Sequence, residues 1–125
     1  MSNKCENSVR LMGFAVTRPE QIDEDPVGIR FKLATNENFF SKKKQEYVKN
    51  SEMHLIKSWK QSAEFSLNNV NVGDYIFIKG KLHYHYLTTE EGRKIKNPEV
   101  IATKITKLNR DNPRNYEVAK ETEEQ

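Results

Sequence analysis

Hydrophobic and polar residues alternate most clearly between residues 29 and 59. At the start of this stretch Ile29, Phe31 and Leu33 fall on one parity, and two basic residues fall on the other. A period of two is typical of a β-strand with one buried and one exposed face. The pattern predicts a strand with an apolar inner face and a basic outer face. A second strand-like segment covers residues 51–59.

Three further segments of the chain are strand-like, at residues 9–14, 74–87 and 100–105. In the longest of them, Ile76, Ile78 and Leu82 are expected to form the buried row. Gly80 interrupts that row and predicts a bulge or a close approach between strands.

The remaining segments are predicted to connect these strands. Residues 17–28 contain two prolines and an acidic run, which are unfavourable inside a strand. Residues 37–50 form a basic loop with aromatic side chains, and residues 88–94 form a polar hairpin turn at Gly92. Residues 60–67 are predicted to be a short helix. The expected fold class is therefore all-β, with five strands and one short helix between strands 3 and 4.

The composition indicates a small core, and the charge distribution separates a basic main part of the chain from an acidic C-terminal segment. A length of 125 residues is enough for one domain. With 31% charged residues and a mean hydropathy of -0.88, the core must be small, which favours a small barrel or sandwich. Residues 1–114 carry a net charge of +6, and residues 115–125 carry −3. We expect a domain over residues 1–110 and a flexible acidic tail over residues 111–125.

Several classes of protein are not supported by the sequence. No apolar run reaches the roughly 18 residues of a membrane span, so a soluble, cytoplasmic protein is expected. His83 and His85 share a strand face without a third metal ligand nearby, and His54 has no evident nucleophile as a partner. No phosphate-binding loop or dinucleotide fingerprint is present. We expect a protein that is not an enzyme and that needs no metal or cofactor.

Aromatic and basic residues occur together in the predicted loop over residues 37–50. Flat rings can stack on nucleobases, and lysines can neutralise phosphates. A lysine run alone is often only a solvated surface, but exposed rings reduce solubility unless a partner covers them. Trp59 fits either a core or the exposed basic face, and the basic face is favoured. The expected DNA-binding residues are Arg30, Lys32, Phe39, Phe40, Lys42, Lys43, Lys44, Tyr47, Lys49, Lys57, Trp59, Lys81, Tyr84 and Tyr86.

Four ordered motifs resemble the bacterial and mitochondrial single-stranded DNA-binding protein family. They lie at residues 7–13, 31–37, 51–54 and 72–82. The most specific are Leu-Ala-Thr-Asn-Glu and the later Gly-x-Tyr-Ile-x-Ile-x-Gly-x-Leu. The resemblance covers about residues 6–108. It implies an oligonucleotide-binding (OB) barrel.

The resemblance also implies a homotetramer that wraps single-stranded DNA without sequence specificity. Phe39 and Trp59 match positions at which the family stacks bases. Met53 and Leu87 stand where tryptophans are usual, which implies weaker or displaced stacking. The chain ends without the family's terminal phenylalanine, so the resemblance does not support recruitment of replication and repair enzymes through the tail. The expected subunit-contact residues are Val9, Leu11, His54, Tyr75 and Phe77.

The predicted function is sequence-independent binding and protection of single-stranded DNA in replication, recombination or repair. Two alternatives remain at this stage. The barrel could be a protein-interaction module, with the aromatic loop contacting a protein. It could also be a primosome-like accessory or a binder of single-stranded RNA.

Overall fold

The computed structural model describes residues 3–108 and the backbone of residues 116–118. Seven strands and one helix are present in this part of the chain, against the five strands expected. In chain order they are β1 (Val9–Ala15), β2 (Glu20–Glu24), β3 (Val27–Ser41), β4 (Glu46–Trp59), α1 (Gln61–Asn69), β5 (Tyr75–Thr88), β6 (Lys94–Leu108) and β7 (Tyr116–Val118).

Five of the strands close into a barrel. β1 pairs with β5, β5 with β6, β6 with β4 and β4 with β3, and β3 returns to β1. β2 extends the sheet from β3, and β7 pairs with β6. A closed barrel of five strands with one helix has the architecture of an OB fold, so the all-β expectation is confirmed.

The position predicted for the helix, between strands 3 and 4, is not exact in the numbering of the observed strands. α1 follows β4, because residues expected to be a connection form the additional strand β2. The prolines that argued against a strand lie outside it, at residues 19 and 26. β2 pairs with the start of β3, and Arg30 Nε contacts Glu20 Oε1 at 3.0 Å across that pair.

The segment predicted as a basic loop is mostly a two-stranded ribbon. β3 and β4 pair continuously from Gly28 opposite Trp59 to Ser41 opposite Glu46. Only residues 42–45 remain for the turn, in which Gln45 adopts a positive φ of 57°. Beyond residue 36 most side chains on both faces are exposed. Because neither face of the ribbon is buried, its hydrophobic and polar residues do not have to alternate. Hydrophobic periodicity therefore could not predict this part of β3 and β4.

The core is built from the inner parity of each barrel strand. Ile29, Phe31 and Leu33 are buried as predicted, and so are Ile76 and Ile78. Leu82 is only half-buried. The helix adds its small residues to one side of this core, with Ala63, Ser62 and Ser66 buried. At 9 residues, α1 is the only described helix and is too short to cross a membrane.

Gly80 lies at a bulge and at a close approach, as its place in the sequence predicted. Lys79 pairs with Lys104 but Gly80 pairs with Ala102, so β6 carries one extra residue. This extra residue shifts the buried parity of β6 from Val100 and Ala102 to Ile105. A Cβ atom at residue 80 would collide with the carbonyl oxygen of Ile101.

The fold of the domain over residues 3–108 is compatible with the expected boundary near residue 110, which stays a prediction. The proposed acidic tail falls mostly outside the described residues. Within its range only the backbone of β7 is described, and that backbone pairs with the end of β6.

We expect Gly80→Ala to lower the free energy of unfolding by about 1 to 3 kcal/mol, because the added methyl group meets backbone that cannot move cheaply. Urea unfolding measures this change. Lys79→Ala, at the exposed neighbouring position, is the control and should change stability by less than about 0.5 kcal/mol. Equal stability of Gly80→Ala and Lys79→Ala would contradict the close approach.

Candidate nucleic-acid interface

The outer parity of β3 and β4 forms one continuous surface along the barrel and the ribbon. Arg30 is opposite Lys57, and Lys32 is opposite Leu55. Their chain neighbours Phe31 and Ile56 are buried. Because side chains alternate between the two faces of a strand, these basic residues point away from the core.

The same parity continues beyond the barrel into the ribbon. Phe40 is opposite Tyr47, and the two rings contact edge to face with centroids 5.3 Å apart. Lys49 shares this parity with Tyr47. Phe39 has the other parity, although it is the position that the family resemblance marks for stacking. We call the set on the shared parity the outer strip: Arg30, Lys32, Phe40, Tyr47, Lys49, Lys57 and Trp59.

The rings of the ribbon are strongly exposed. Phe39 is 52% exposed, Phe40 is 49% exposed and Tyr47 is 77% exposed. Lys42, Lys43 and Lys44 lie in the adjacent turn and are also exposed. The structure therefore brings predicted rings and lysines together at the ribbon tip. No part of this tip is held by packing against the barrel core.

Lys57 is not a free cation on the outer strip. Its Nζ atom lies 3.0 Å from Oε1 of Glu99, and the other carboxylate oxygen lies 3.0 Å from His83 Nδ1. Glu99 is only 4% exposed. This carboxylate on the basic face was not predicted from the sequence. The available indication in the sequence was that Glu99 precedes Val100, which is buried, so that alternation would place Glu99 on the outer face.

The partners of Glu99 determine its protonation. Burial is the largest influence and raises the pKa of the carboxyl group, but hydrogen bonds and charge from Lys57 and His83 outweigh it. The net result is a pKa below the ordinary value of 4.5. Glu99 therefore remains ionised at neutral pH and offsets part of the positive charge of the outer strip.

Trp59 ends the outer strip where β2 joins the sheet. Its indole Nε1 donates a hydrogen bond of 2.9 Å to Oδ2 of Asp23. Trp59 is half-buried, so it is neither a sealed core residue nor a freely exposed ring. Asp23 lies in the segment expected to be a connection, and no pattern in the sequence pointed to this contact.

The β5–β6 hairpin carries the remaining predicted site residues. Tyr84 and Tyr86 share one parity, and Lys81 has the other. Tyr84 and Tyr86 are exposed, and Lys96 Nζ lies 4.1 Å from the centroid of the Tyr84 ring. Lys96 was not predicted, although it follows the Gly92 turn in a lysine-containing strand. The two tyrosines and Lys96 form a second cluster of rings and positive charge.

The residues expected at subunit contacts lie mainly on β1 and β5. Val9, Leu11, Tyr75 and Phe77 are half-buried, and His54 Nε2 lies 2.9 Å from Thr35 Oγ1. The guanidinium of Arg10 lies 5.4 Å from the centroid of the Phe77 ring. Their role in assembly stays a prediction. Among residues 3–108, no group of His, Cys, Asp or Glu side chains is arranged to hold a metal ion.

Comparison with known proteins agrees with this architecture. The profile of the single-strand binding protein family matches residues 6–108. The chain belongs to this family. Membership supports single-stranded DNA as the ligand and accords with the resemblance of the four motifs. No curated protein matches the sequence.

Solved structures similar to this family member share its fold at low sequence identity. A Plasmodium falciparum SSB in complex with ssDNA has a TM-score of 0.78 and 21% identity, over 87% of this chain and 100% of that chain. A small single-stranded DNA-binding protein from Streptomyces coelicolor has a TM-score of 0.66 and 20% identity, over 82% of this chain and 94% of that chain. A deletion mutant of the single-stranded DNA binding protein from Thermus aquaticus has a TM-score of 0.71 and 21% identity, over 84% of this chain and 51% of that chain.

Glu99→Gln is expected to lower the free energy of unfolding at neutral pH by about 1 to 3 kcal/mol, because the amide loses charge-assisted hydrogen bonds to Lys57 and His83. The folded state lowers the pKa of Glu99 from 4.5. The stabilisation is therefore complete above that pH and is lost as the pH falls through the folded-state pKa. Urea unfolding of both proteins across this range should show their difference shrinking towards acid. A difference independent of pH would contradict the charged role of Glu99.

Proposed function

We propose that this protein binds single-stranded DNA without sequence specificity and protects it during replication, recombination or repair. The observation that carries the proposal is the outer strip, which joins cations on the barrel to exposed rings on the ribbon. Stacking on rings tolerates every base, and lysines contact only the phosphates. The location that follows is the cytoplasm, in association with the nucleoid.

The two ends of the outer strip make different contributions. On the barrel, Lys57 is paired with Glu99 and Arg30 is paired with Glu20, so their charges are partly offset. In the turn, Lys42, Lys43 and Lys44 are exposed. We infer that the turn supplies much of the electrostatic attraction, while Phe40, Tyr47 and Trp59 supply stacking. Phe39, on the other ribbon face, is available to a strand that wraps around the ribbon.

The tyrosine cluster on the β5–β6 hairpin extends the proposed site. Tyr84 and Tyr86 provide two further exposed rings, and Lys96 provides a cation beside them. Lys81 lies on the parity of His83, beside the pair formed by Lys57 and Glu99. A strand that contacts both hairpins would reach predicted DNA-binding residues on each of them. As a non-enzymatic activity, this binding requires only rings, cations and a rigid barrel.

A titration of fluorescent oligo(dT) at several salt concentrations tests this function. We expect tight binding that weakens steeply with salt, because bound lysines release counterions from the DNA. The triple variant Lys42→Ala, Lys43→Ala, Lys44→Ala should reduce the slope of log K against log salt by about 2, since each phosphate contact on a single strand contributes about 0.7. Lys79→Ala, on β5, is the control and should leave the slope unchanged.

Each outcome of this titration separates the proposal from its alternatives. Absence of binding to oligo(dT) would overturn the proposed function and favour a protein-interaction module. Stronger binding to oligo(rU) than to oligo(dT) would identify a binder of single-stranded RNA. An unchanged slope in the triple variant would exclude the ribbon turn from the phosphate path.

We also propose that the protein assembles as a homotetramer. On one edge, β1 pairs with β5 from Val9 to Phe14. On the other edge, β1 pairs with β3 only at Phe14 and Ala15, which are the last two residues of the strand. The other edge of residues 9–12 is therefore open within the described part of the chain. Met12 on this strand is 50% exposed. Open strand edges and exposed apolar side chains favour pairing with another chain.

Light scattering at micromolar concentration should give a mass near four times the 14.7 kDa of one chain. Met12→Lys should lower that mass, because a charge on the contact surface opposes close packing. Met53→Lys, which changes a similarly exposed methionine on β4, is the comparison. A wild-type mass of one chain would overturn the tetramer proposal and leave DNA binding by the barrel to be judged separately.

A further inference from the structure

Three residues lie side by side across three strands at the end of the outer strip. Asp23 on β2 pairs with Gly28 on β3, and Gly28 pairs with Trp59 on β4. The register of β2 shifts between Gln21 and Asp23. This irregularity places Asp23 at the same level as Gly28 and Trp59. The middle position of the row therefore has no side chain.

The indole of Trp59 lies over the gap at Gly28. A Cβ atom added to Gly28 would collide with Nε1, Cδ1 and Cε2 of the indole. These three atoms belong to the five-membered ring, so that ring rests on the backbone of β3. Gly28 is buried although it lies near the sheet edge, which agrees with an indole covering it. One face of the ring is thus occupied by the protein.

The edge of the same ring is held by Asp23. The 2.9 Å hydrogen bond from Nε1 to Oδ2 connects the indole to the neighbouring strand. A hydrogen bond to a carboxylate is stronger than a neutral one. Packing on Gly28 restrains the tilt of the ring, and the bond to Asp23 restrains its rotation. Since Trp59 is only half-buried, the exposed area lies on the side away from Gly28.

We propose that Asp23 and Gly28 are positioning residues that hold Trp59 flat on the sheet as a preorganised stacking platform for one nucleobase. The inference rests on the proposed binding of single-stranded DNA and assigns β2 a role in it. A ring already ordered in the free protein loses less conformational entropy when a base stacks on it. The carboxylate also disfavours a phosphate at this point, so the base faces the indole and the phosphates follow the lysines.

The decisive experiment compares Asp23→Ala with Asp23→Asn in the full chain. Both variants lose the same charge, but asparagine retains a side-chain oxygen that can accept the indole hydrogen bond. We expect Asp23→Ala to weaken oligo(dT) binding about threefold to tenfold, as expected when one side chain must be ordered on binding. Asp23→Asn should bind at least as tightly as the wild type.

Glu24→Ala is the matched control for charge. Glu24 is an exposed neighbour on the same strand. Removing a negative charge near the DNA path should leave affinity unchanged or raise it slightly. Both alanine variants lose one negative charge, and electrostatics alone predicts no loss of affinity for either of them. A loss in Asp23→Ala without a loss in Glu24→Ala therefore needs another cause. Simple electrostatics cannot produce that result.

Fluorescence of the free protein reports the position of the ring independently of DNA. Trp59 is the only tryptophan, so its emission reports on one site. Asp23→Ala should lower the fluorescence anisotropy of the indole and increase its quenching by acrylamide, and Asp23→Asn should restore both. Gly28→Ala should change both signals in the same direction with Asp23 intact, because the methyl group displaces the ring.

Repeating the Asp23→Ala substitution in a Trp59→Phe variant tests whether Asp23 acts through the indole or whether its loss disrupts the β2–β3 hairpin in general. In Trp59→Phe the ring has no N–H, so adding Asp23→Ala should weaken oligo(dT) binding no further. If Asp23→Ala weakens binding equally in both backgrounds, or if its anisotropy and quenching match the wild type, the positioning role is overturned. If the wild type fails to bind oligo(dT), the proposed function fails and the platform fails with it. Unchanged binding in Asp23→Ala with a binding wild type overturns only the positioning role.

Discussion

The hydrogen-bonded register between β3 and β4 is the constraint on which the rest of the structure depends. It runs without interruption from Gly28 opposite Trp59 to Ser41 opposite Glu46. A slip of one residue would turn Phe31 and Leu33 outward and bring lysines into the core. Burial of those side chains therefore selects the register on the barrel. The same register then determines which side chains share a face on the ribbon, where nothing is buried.

This coupling means that the candidate site is positioned by the core. The rings at the ribbon tip are far along the strands from any buried residue, yet their parity follows from Ile29 and Ile56. The neutralising contacts are also set by strand pairing. Glu99 reaches Lys57 because β6 runs beside β4 at Val100 and Ile56, and it reaches His83 because these two residues are paired on β6 and β5. The strand pairing that exposes Lys57 therefore also places Glu99 beside it, which reduces the net positive charge of the barrel surface.

Much of the barrel could be predicted from the sequence because its core rows alternate. Ile29, Phe31 and Leu33, and the row begun by Ile76 and Ile78, needed only local periodicity to be found. Two glycines were also informative: Gly92 marks a turn through its positive φ of 86°, and Gly80 interrupts a buried row where β5 approaches Ile101 of β6. The rings and lysines around the ribbon were found from composition. Family membership followed from motifs in a fixed order.

The sequence by itself determined the buried rows of the barrel strands, the presence of aromatic and basic residues between residues 37 and 50, and the family. Tertiary structure alone decided the strands without a buried face, the pairing of Lys57 with Glu99, and the contact of Trp59 with Asp23. The physical reason is the range of the interactions. Alternation arises within one strand, whereas the side-chain contacts of Arg30 with Glu20, Trp59 with Asp23 and Lys57 with Glu99 join residues 10 to 42 positions apart in the chain. Only the closed register brings such partners together.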